Sequence, residues 1–463
     1  MLKKVCYTII ASGILFFTNP AYSAEFQTMG FKAVSMGGAG VATSRGSFAT
    51  YYNPALLSYH KHGCEISLSA GAGFREINLA DHIDTLSEID IDQTFTEMEE
   101  LLATGLDSSA VLAAIAGDGT LAIDSTALQS DVTIIKRELR AISIVNGLQL
   151  MPNISLGVQL GNFGFGLYNM GEATAFATID SDRLDFIISQ EVTGYGTAYI
   201  KYDETVGSGG VFSVSNEVDF NANSLQTAIS PTTGDSSTYL TLSGIVYSEL
   251  PVAYGHNFKI PSGNLAIGGA IKMIQGTTYG AKIDIDSETD NLEDELKDSE
   301  EDEMTMGVDL GLLYRPTCFK NLSIGLVGKN LNKPEFDTAL GTVLAIDPQV
   351  RAGAALSFFN DKITLACDLD LTVNETYIEG YDSQFIGGGI SFSPASFFSI
   401  RGGVMQNLQE TEEGTIMTAG LGFGLKWIQL DIAGQYSSET GEYDGEEIPR
   451  YGKIMVSFVS KWK

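Results

Sequence analysis

The feature that most constrains this chain is a period-two alternation of apolar and polar side chains, repeated along its C-terminal two-thirds. Met304, Met306, Val308, Leu310, Leu312 and Tyr314 share one face, with Thr305, Gly307, Asp309 and Gly311 on the other. Ile363, Leu365, Cys367, Leu369 and Leu371 alternate with Thr364, Ala366, Asp368 and Asp370; Met417, Ala419, Leu421, Phe423, Leu425 and Trp427 alternate with Thr418, Gly420, Gly422, Gly424 and Lys426. Only strands with two unlike faces fit this period. A soluble sandwich alternates too, so the connections decide. Short ones at 261–263, 316–321, 360–361, 393–396 and 426–428 take turns with long polar ones at 284–303, 332–347, 374–383, 408–414 and 437–449. Short turns at one end and long loops at the other are the topology of outer-membrane barrels. Strands are expected to begin near residues 251, 263, 304, 321, 348, 362, 384, 398, 414, 428 and 450, with three more at 64–79, 148–160 and 163–178. The expected fold is all-β: a transmembrane antiparallel β-barrel of about 14 strands, with an N-terminal lumen hatch and a helical extracellular insertion. An even count places both termini on the same, periplasmic side.

The two ends agree with export to the cell outer membrane. Lys3 and Lys4 precede an apolar run from Val5 to Phe17, Asn19 and Pro20 break it, and Ala21 and Ser23 form a small-x-small pair. Residues 1–23 therefore read as a signal peptide, with the mature chain starting at Ala24 or Glu25. At the other end, Ile454, Val456, Phe458 and Trp462 share a face, Ser460 excepted. Lys463 follows Trp462 where such barrels commonly end in an aromatic residue. Beyond residue 24 no stretch approaches the ~20 apolar residues of a membrane helix. Yet the chain holds 51 Gly, 24 Phe and 19 Tyr, the composition of glycine- and aromatic-rich sheet. Its net charge of −31 excludes nucleic acid as a partner, which needs a basic footprint. Outer-membrane lipid and lipopolysaccharide are the expected neighbours. Cys64, Cys318 and Cys367 remain after processing, an odd number without CxxC spacing, and are expected as free thiols in the membrane.

Two stretches do not alternate. Within 81–130, Ile83, Leu86, Ile89, Phe95, Met98, Leu101 and Leu102 recur at helical spacing with acids between them. This reads as an acidic amphipathic helix followed by a shorter helical piece over 108–116. Residues 181–239 are polar and rich in Gly, Ser and Thr; they read as strand extensions above the membrane, with pairing left open.

Before the first strand stand residues 36–42 (MGGAGVA) and 49–57 (ATYYNPALL). No strand precedes the glycines and no GxGxxG spacing follows, so they are not a nucleotide fingerprint. Gly37 and Gly38 permit tight backbone packing inside a lumen. Asn53-Pro54-Ala55 sets a fixed turn whose amide can hold backbone groups. This pattern resembles the N-terminal hatch of the long-chain fatty-acid transporter (FadL-like) barrel superfamily. Within it, the chain resembles the conjugal-transfer TraF-type outer-membrane family. Its blocks here are the acidic helix from Asp81 to Glu100, Met151-Pro152-Asn153, residues 309–317 (DLGLLYRPT), 328–331 (GKNL), 348–353 (PQVRAG), 368–372 (DLDLT) and 400–404 (IRGGV). The resemblance spans essentially the whole mature chain. It implies 14 strands, a hatch over 24–63 and a barrel over 64–463.

Other clusters have bland readings. Asp284, Asp286, Glu288, Asp290 and Glu295 fall at EF-hand positions, but Thr289 stands where that loop needs glycine. A solvated acidic outer loop over 284–303, able to gather divalent cations loosely, is expected, with no discrete metal site. His60 and His62 lack a completing ligand set apart from Glu65. No GxSxG or comparable Ser/His arrangement appears, and neither an enzyme nor a cofactor is expected. Asp368, Asp370, Arg351 and Arg401 lie on polar strand faces and are expected to pair inside the lumen.

Two functions follow. One is a channel for hydrophobic or amphipathic small molecules, closed by the hatch. The other is a non-transporting structural or interaction component of an envelope or conjugal-transfer assembly, contacting machinery proteins. A continuous apolar pocket beneath the outer loops favours the first; a lumen filled by ion pairs and the hatch favours the second.

Overall fold

The alternating segments close into a single antiparallel barrel of 14 strands. The computed structural model describes residues 25–462 apart from 60–62, 90, 106–107, 118, 122–125, 193–195, 205–210, 218–221, 226–227, 229–236, 285–298, 338–340, 342, 377, 379, 396, 426 and 444. The expected signal peptide over 1–23, His60, His62 and most of the acidic loop 284–303 lie outside the described residues. In chain order the strands are β1 (Cys64–Ile77), β2 (Gly147–Leu150 and Asn153–Leu160), β3 (Phe163–Thr178), β4 (Tyr239–Ile260), β5 (Gly263–Asp284), β6 (Glu301–Pro316) and β7 (Leu322–Lys329). They continue as β8 (Gln349–Phe358), β9 (Ile363–Asp370), β10 (Phe385–Ala395), β11 (Phe398–Asn407), β12 (Thr415–Gly424), β13 (Ile428–Ser437) and β14 (Tyr451–Trp462). Each pairs with its neighbour, and β14 closes on β1 from Cys64↔Trp462 to Arg75↔Tyr451.

Prolines lie inside strands at Pro152, Pro251 and Pro394, the last at a register shift between Phe392 and Ala395, and the ladder accommodates them. The expected start near Pro251 is overturned: β4 begins at Tyr239 and runs through that residue. A proline cannot donate to a ladder, which is why it reads as a strand start. Here the β3–β4 pairing skips from Phe165↔Val252 to Tyr168↔Glu249, while Pro251 stays opposite Lys272 on the other side. At Met151-Pro152 the two pieces of β2 keep one register against β1, bridged by reciprocal Gly73–Met151 backbone hydrogen bonds.

The outward faces are apolar and exposed. Phe165, Val252, Ile271, Leu310, Ile390, Leu421 and Ile454 are among the side chains left uncovered by protein. Phe319, Phe359, Phe397 and Trp427 crowd the short-turn end in the same way. An apolar surface of this extent is stable only against another apolar phase. The inward faces are polar: Ser67, Ser69, Gln149, Glu172, Lys272, Arg351, Asp431 and Ser457 are all buried. Cys64, Cys318 and Cys367 are free, the last two exposed.

At the loop end a second folded body covers the barrel. Its helices are α1 (Ala80–Ser87), α2 (Ile91–Gly105), α3 (Ser108–Ala116) and α4 (Thr126–Ile142). Residues 181–239 do not extend barrel strands, as the sequence suggests; within them Phe186–Val192, Gly196–Asp203 and Val211–Ser215 join Thr120–Leu121 in a separate four-stranded sheet. The helical stretch also runs past residue 130. Leu128, Val132, Ile135 and Leu139 of α4 form one buried stripe against Phe186, Ile200, Tyr202 and Phe212 of the sheet. The β-branched run from Val132 to Ile135 weakens the intrinsic helix preference, and tertiary burial outweighs it. Among the described residues no helix is long and apolar enough to cross a membrane.

Candidate functional site

The lumen is occupied by residues 25–59, short helical turns joined by bends, most of them fully buried. Such a segment has no sheet to satisfy its backbone, so buried groups must find partners on the wall. They do. Asp368 on β9 accepts the backbone N–H groups of Gly40 and Val41 at 2.7 and 2.8 Å. The Gly37 N–H donates to Thr418 Oγ1 at 3.0 Å, and Gln435 Nε2 donates to the Val34 carbonyl at 3.0 Å. Within the segment, Tyr51 donates to the Gln27 carbonyl, while Tyr52 accepts from the Met29 N–H and donates to its carbonyl.

The residues singled out from sequence fall at these contacts. Gly37 has φ +63°, and a Cβ there would lie 2.2 Å from the Val404 carbonyl oxygen and 2.6 Å from that of Gly388. It abuts the wall. Gly38 differs from expectation: a Cβ would meet Thr28 Cγ2 of the segment itself at 3.3 Å, and its φ of +79° is the constraint. Asn53 is fully buried. Its Nδ2 donates to the Val41 carbonyl at 3.1 Å and to the Leu312 carbonyl of β6 at 3.0 Å, and its Oδ1 accepts the Ala55 N–H at 3.0 Å. One amide thereby ties two parts of the segment to each other and to the wall.

The complementary half of the site is on the barrel, where no contiguous motif marks it. Inward glycines clear space for the segment's backbone: a Cβ at Gly268 would sit 2.3 Å from Ala55 N, at Gly311 2.0 Å from Asn53 Oδ1, and at Gly387 2.0 Å from the Gly37 carbonyl oxygen. The signal is present as glycine recurring on the polar face of alternating strands, as at Gly307 and Gly311.

Ion pairs surround this contact. Arg75, fully buried near the loop end of β1, bonds Glu25 at 3.0 Å, Gln149 at 2.6 Å and Glu413 of a loop. Lys272 reaches Glu249 at 2.7 Å and Asp309 at 3.3 Å; Arg351 pairs with Asp370, and Arg401 with Asp431 at 2.8 Å. The expected pairing of Arg351 and Asp370 is present, whereas Asp368 serves the segment's backbone. Lys329 lies 3.6 Å from the centre of the Tyr51 ring, and Arg351 3.9 Å from that of Phe26, so both cations also bind aromatic faces. Toward the loop end an apolar layer contains Tyr51, Tyr168, Tyr247, Ile274 and Val327. It is capped by Phe336, Leu344 and Ile346 from a hairpin pairing Glu335–Asp337 with Val343–Ala345. His82 lies in the covering body, where its Nδ1 is 2.6 Å from Glu138, and His256 is near Tyr254 on the outer face of β4.

Comparison with solved structures finds barrels that align along nearly the whole chain at low identity. The Ralstonia pickettii toluene transporter TbuX is 12% identical, covering 95% of this chain and 100% of its own, with a TM-score of 0.45. The P. putida toluene transporter TodX is 11% identical, covering 95% and 99%, with a TM-score of 0.46. A Pseudomonas aeruginosa FadL homologue is 10% identical, covering 96% and 100%, with a TM-score of 0.44. No curated protein sequence matches. The model of the family described as "F plasmid transfer operon, TraF, protein" matches residues 50–370, a span that includes Asn53, Pro54 and Ala55. The chain belongs to this TraF family.

Proposed function

We propose that the protein is an exported outer-membrane barrel, a FadL-like channel for hydrophobic or amphipathic small molecules, closed at rest by residues 24–63 acting as a hatch. On this reading the TraF-type family sits within the FadL-like superfamily. The apolar outward face supports lipid embedding. The observation that carries the channel reading is the layering of the lumen. An apolar aromatic layer lies beneath the outer loops, the buried N-terminal segment follows, and a polar cavity opens at the turn end. The segment meets the wall through hydrogen bonds and glycine contacts, which can be exchanged for water or ligand, and through buried apolar clusters, among them Leu56 and Leu57 with Ala266 and Leu313. An apolar occupant is the kind of molecule that can replace those apolar contacts.

A second reading, a non-transporting component of an envelope or conjugal-transfer assembly, is favoured by the buried ion pairs Arg75–Glu25, Lys272–Glu249 and Arg351–Asp370, which fill the lumen. Deleting residues 26–58 separates the two. The barrel ladder does not depend on the segment, so the deletion protein should remain heat-modifiable on detergent gels. A channel predicts raised, less selective conductance in planar bilayers. Unchanged conductance in a folded deletion protein would show that the segment does not control the lumen and would put the assembly reading ahead.

A further inference from the structure

Beneath the N-terminal segment, at the turn end, lies a cavity of about 300 Å³. In a chain of net charge −31 its lining is cationic in excess. Lys32 and Arg45 come from the segment, Arg401 from β11 and Lys461 from β14, against Glu65 and Asp361. Both carboxylates are engaged, Asp361 in an ion pair with Arg45. Glu65 accepts hydrogen bonds from the Ser47 N–H at 3.1 Å and its hydroxyl at 3.2 Å, and Asp361 stands 3.8 Å from Arg45. Lys461 donates to a neutral amide, Gln429, at 3.2 Å.

Arg401 is the most informative member. Its side chain is 6% exposed and its guanidinium lies 4.7 Å from the centre of the Phe31 ring. Nη1 donates to Asp431 and Nη2 to Ser399 Oγ, each at 2.8 Å, and Nε has no partner among the described residues. A buried guanidinium with an unused N–H favours a planar or tetrahedral oxyanion. Hydroxyl donors from Thr364 and Ser391 face the same space.

We propose that this cavity binds a small oxyanion, a carboxylate or phosphate, that bridges Lys32 and Arg45 on the segment to Arg401 and Lys461 on the wall. The volume matches the lower range of small-molecule sites. An occupant touching both surfaces holds the segment in place from below. The site stands independently of whether the lumen conducts.

Calorimetric titration of the purified full-length protein in detergent tests this, with inorganic phosphate and benzoate each measured against chloride at equal ionic strength. At least one anion should bind saturably at one site per chain. Affinity should fall at least about tenfold in Arg401→Gln and in Lys461→Gln, the loss expected for one charged hydrogen bond, and be unchanged in Lys333→Gln at the opposite end. Lys461 makes no ion pair with Asp431, whose partner is Arg401, so Lys461→Gln leaves that pair in place should Arg401→Gln unsettle Asp431. Heat-modifiability checks the fold of each variant. No saturable binding of either anion, an affinity indifferent to Lys461→Gln, or an equal loss in Lys333→Gln would each overturn the proposal.

Discussion

The barrel and the body that covers its loop end are built in opposite senses. The barrel turns Leu310, Leu421 and Ile454 outward and buries Lys272, Asp309 and Arg351. The covering body buries Met98, Val111, Phe186, Tyr202 and Phe212, as a water-soluble domain does. Both obey one rule, that apolar surface meets apolar surroundings, but the surroundings differ. For the barrel they lie outside the chain; for the covering body they are its own interior. The comparison therefore locates where the outward apolar surface ends along the molecule: at the rim between the strands and α1.

The largest expected effect breaks the covering body alone. Phe186 is fully buried and stacks on Phe95 with ring centroids 4.7 Å apart. Phe186→Ala should cost about 3–5 kcal/mol. It should open the covering body to protease while the detergent-gel shift of the barrel persists. Loss of the shift would mean that the two bodies do not fold independently. The next is its counterpart on the barrel. Leu310→Arg places a charge on an outward site that is 54% exposed to the surroundings. If those surroundings are hydrocarbon, it should cost about 2–4 kcal/mol of barrel stability in bilayers. An unaltered unfolding midpoint in denaturant would place Leu310 outside the membrane and move the boundary toward the turn end.

The two regions were also unequally legible in the sequence. Barrel strands display their period because the outward face is apolar at every second residue, as at Met417, Ala419 and Leu421. A register slip would expose the wrong face. The covering body shows mixed periods. Its sheet strands are short, and the stripe from Leu128 to Leu139 is obscured by the β-branched run Val132, Thr133, Ile134 and Ile135. Strand limits failed at Pro251 because a missing donor is costly only where a partner carbonyl waits, and there the β3 ladder skips a rung. For the lumen site, the motif half was visible at Gly37 and Asn53. The wall half was not, because Gly268, Gly311 and Gly387 come from separate strands and meet only once the barrel closes.

A smaller effect concerns the seam between the segment and the wall, where hydrogen bonds and buried apolar contacts are mixed. Asn53→Ala removes one amide and leaves the Val41 and Leu312 carbonyls and the Ala55 N–H without it. The cost should be about 1–3 kcal/mol, confined to the segment. Faster amide hydrogen exchange over 36–57, with exchange in β6 and β9 unchanged, is the expected outcome. Equal acceleration in those strands would make the segment part of the barrel's cooperative unit.

The smallest effect is in the covering body, where pH should act and barrel stability should not follow. Glu138 on α4 contacts His82 of α1 at 2.6 Å and also bonds Arg137. Burial pushes its carboxyl upward, but the hydrogen bonds from His82 and Arg137 prevail and hold it below its ordinary 4.5. A carboxyl lowered by folding binds its proton more readily in the unfolded chain. Its contribution is therefore fully present above the ordinary value and is lost as pH falls through the folded one. The pair is partly solvated, so the contribution should be about 1 kcal/mol or less. Glu138→Gln should loosen α1 against α4 at neutral pH, measured by protease cleavage near residues 80–90. That difference from the native protein should vanish below the ordinary glutamate range. A difference that persists well below that range would mean that Glu138 acts in its protonated form, and the charged link between α1 and α4 would have to lie elsewhere.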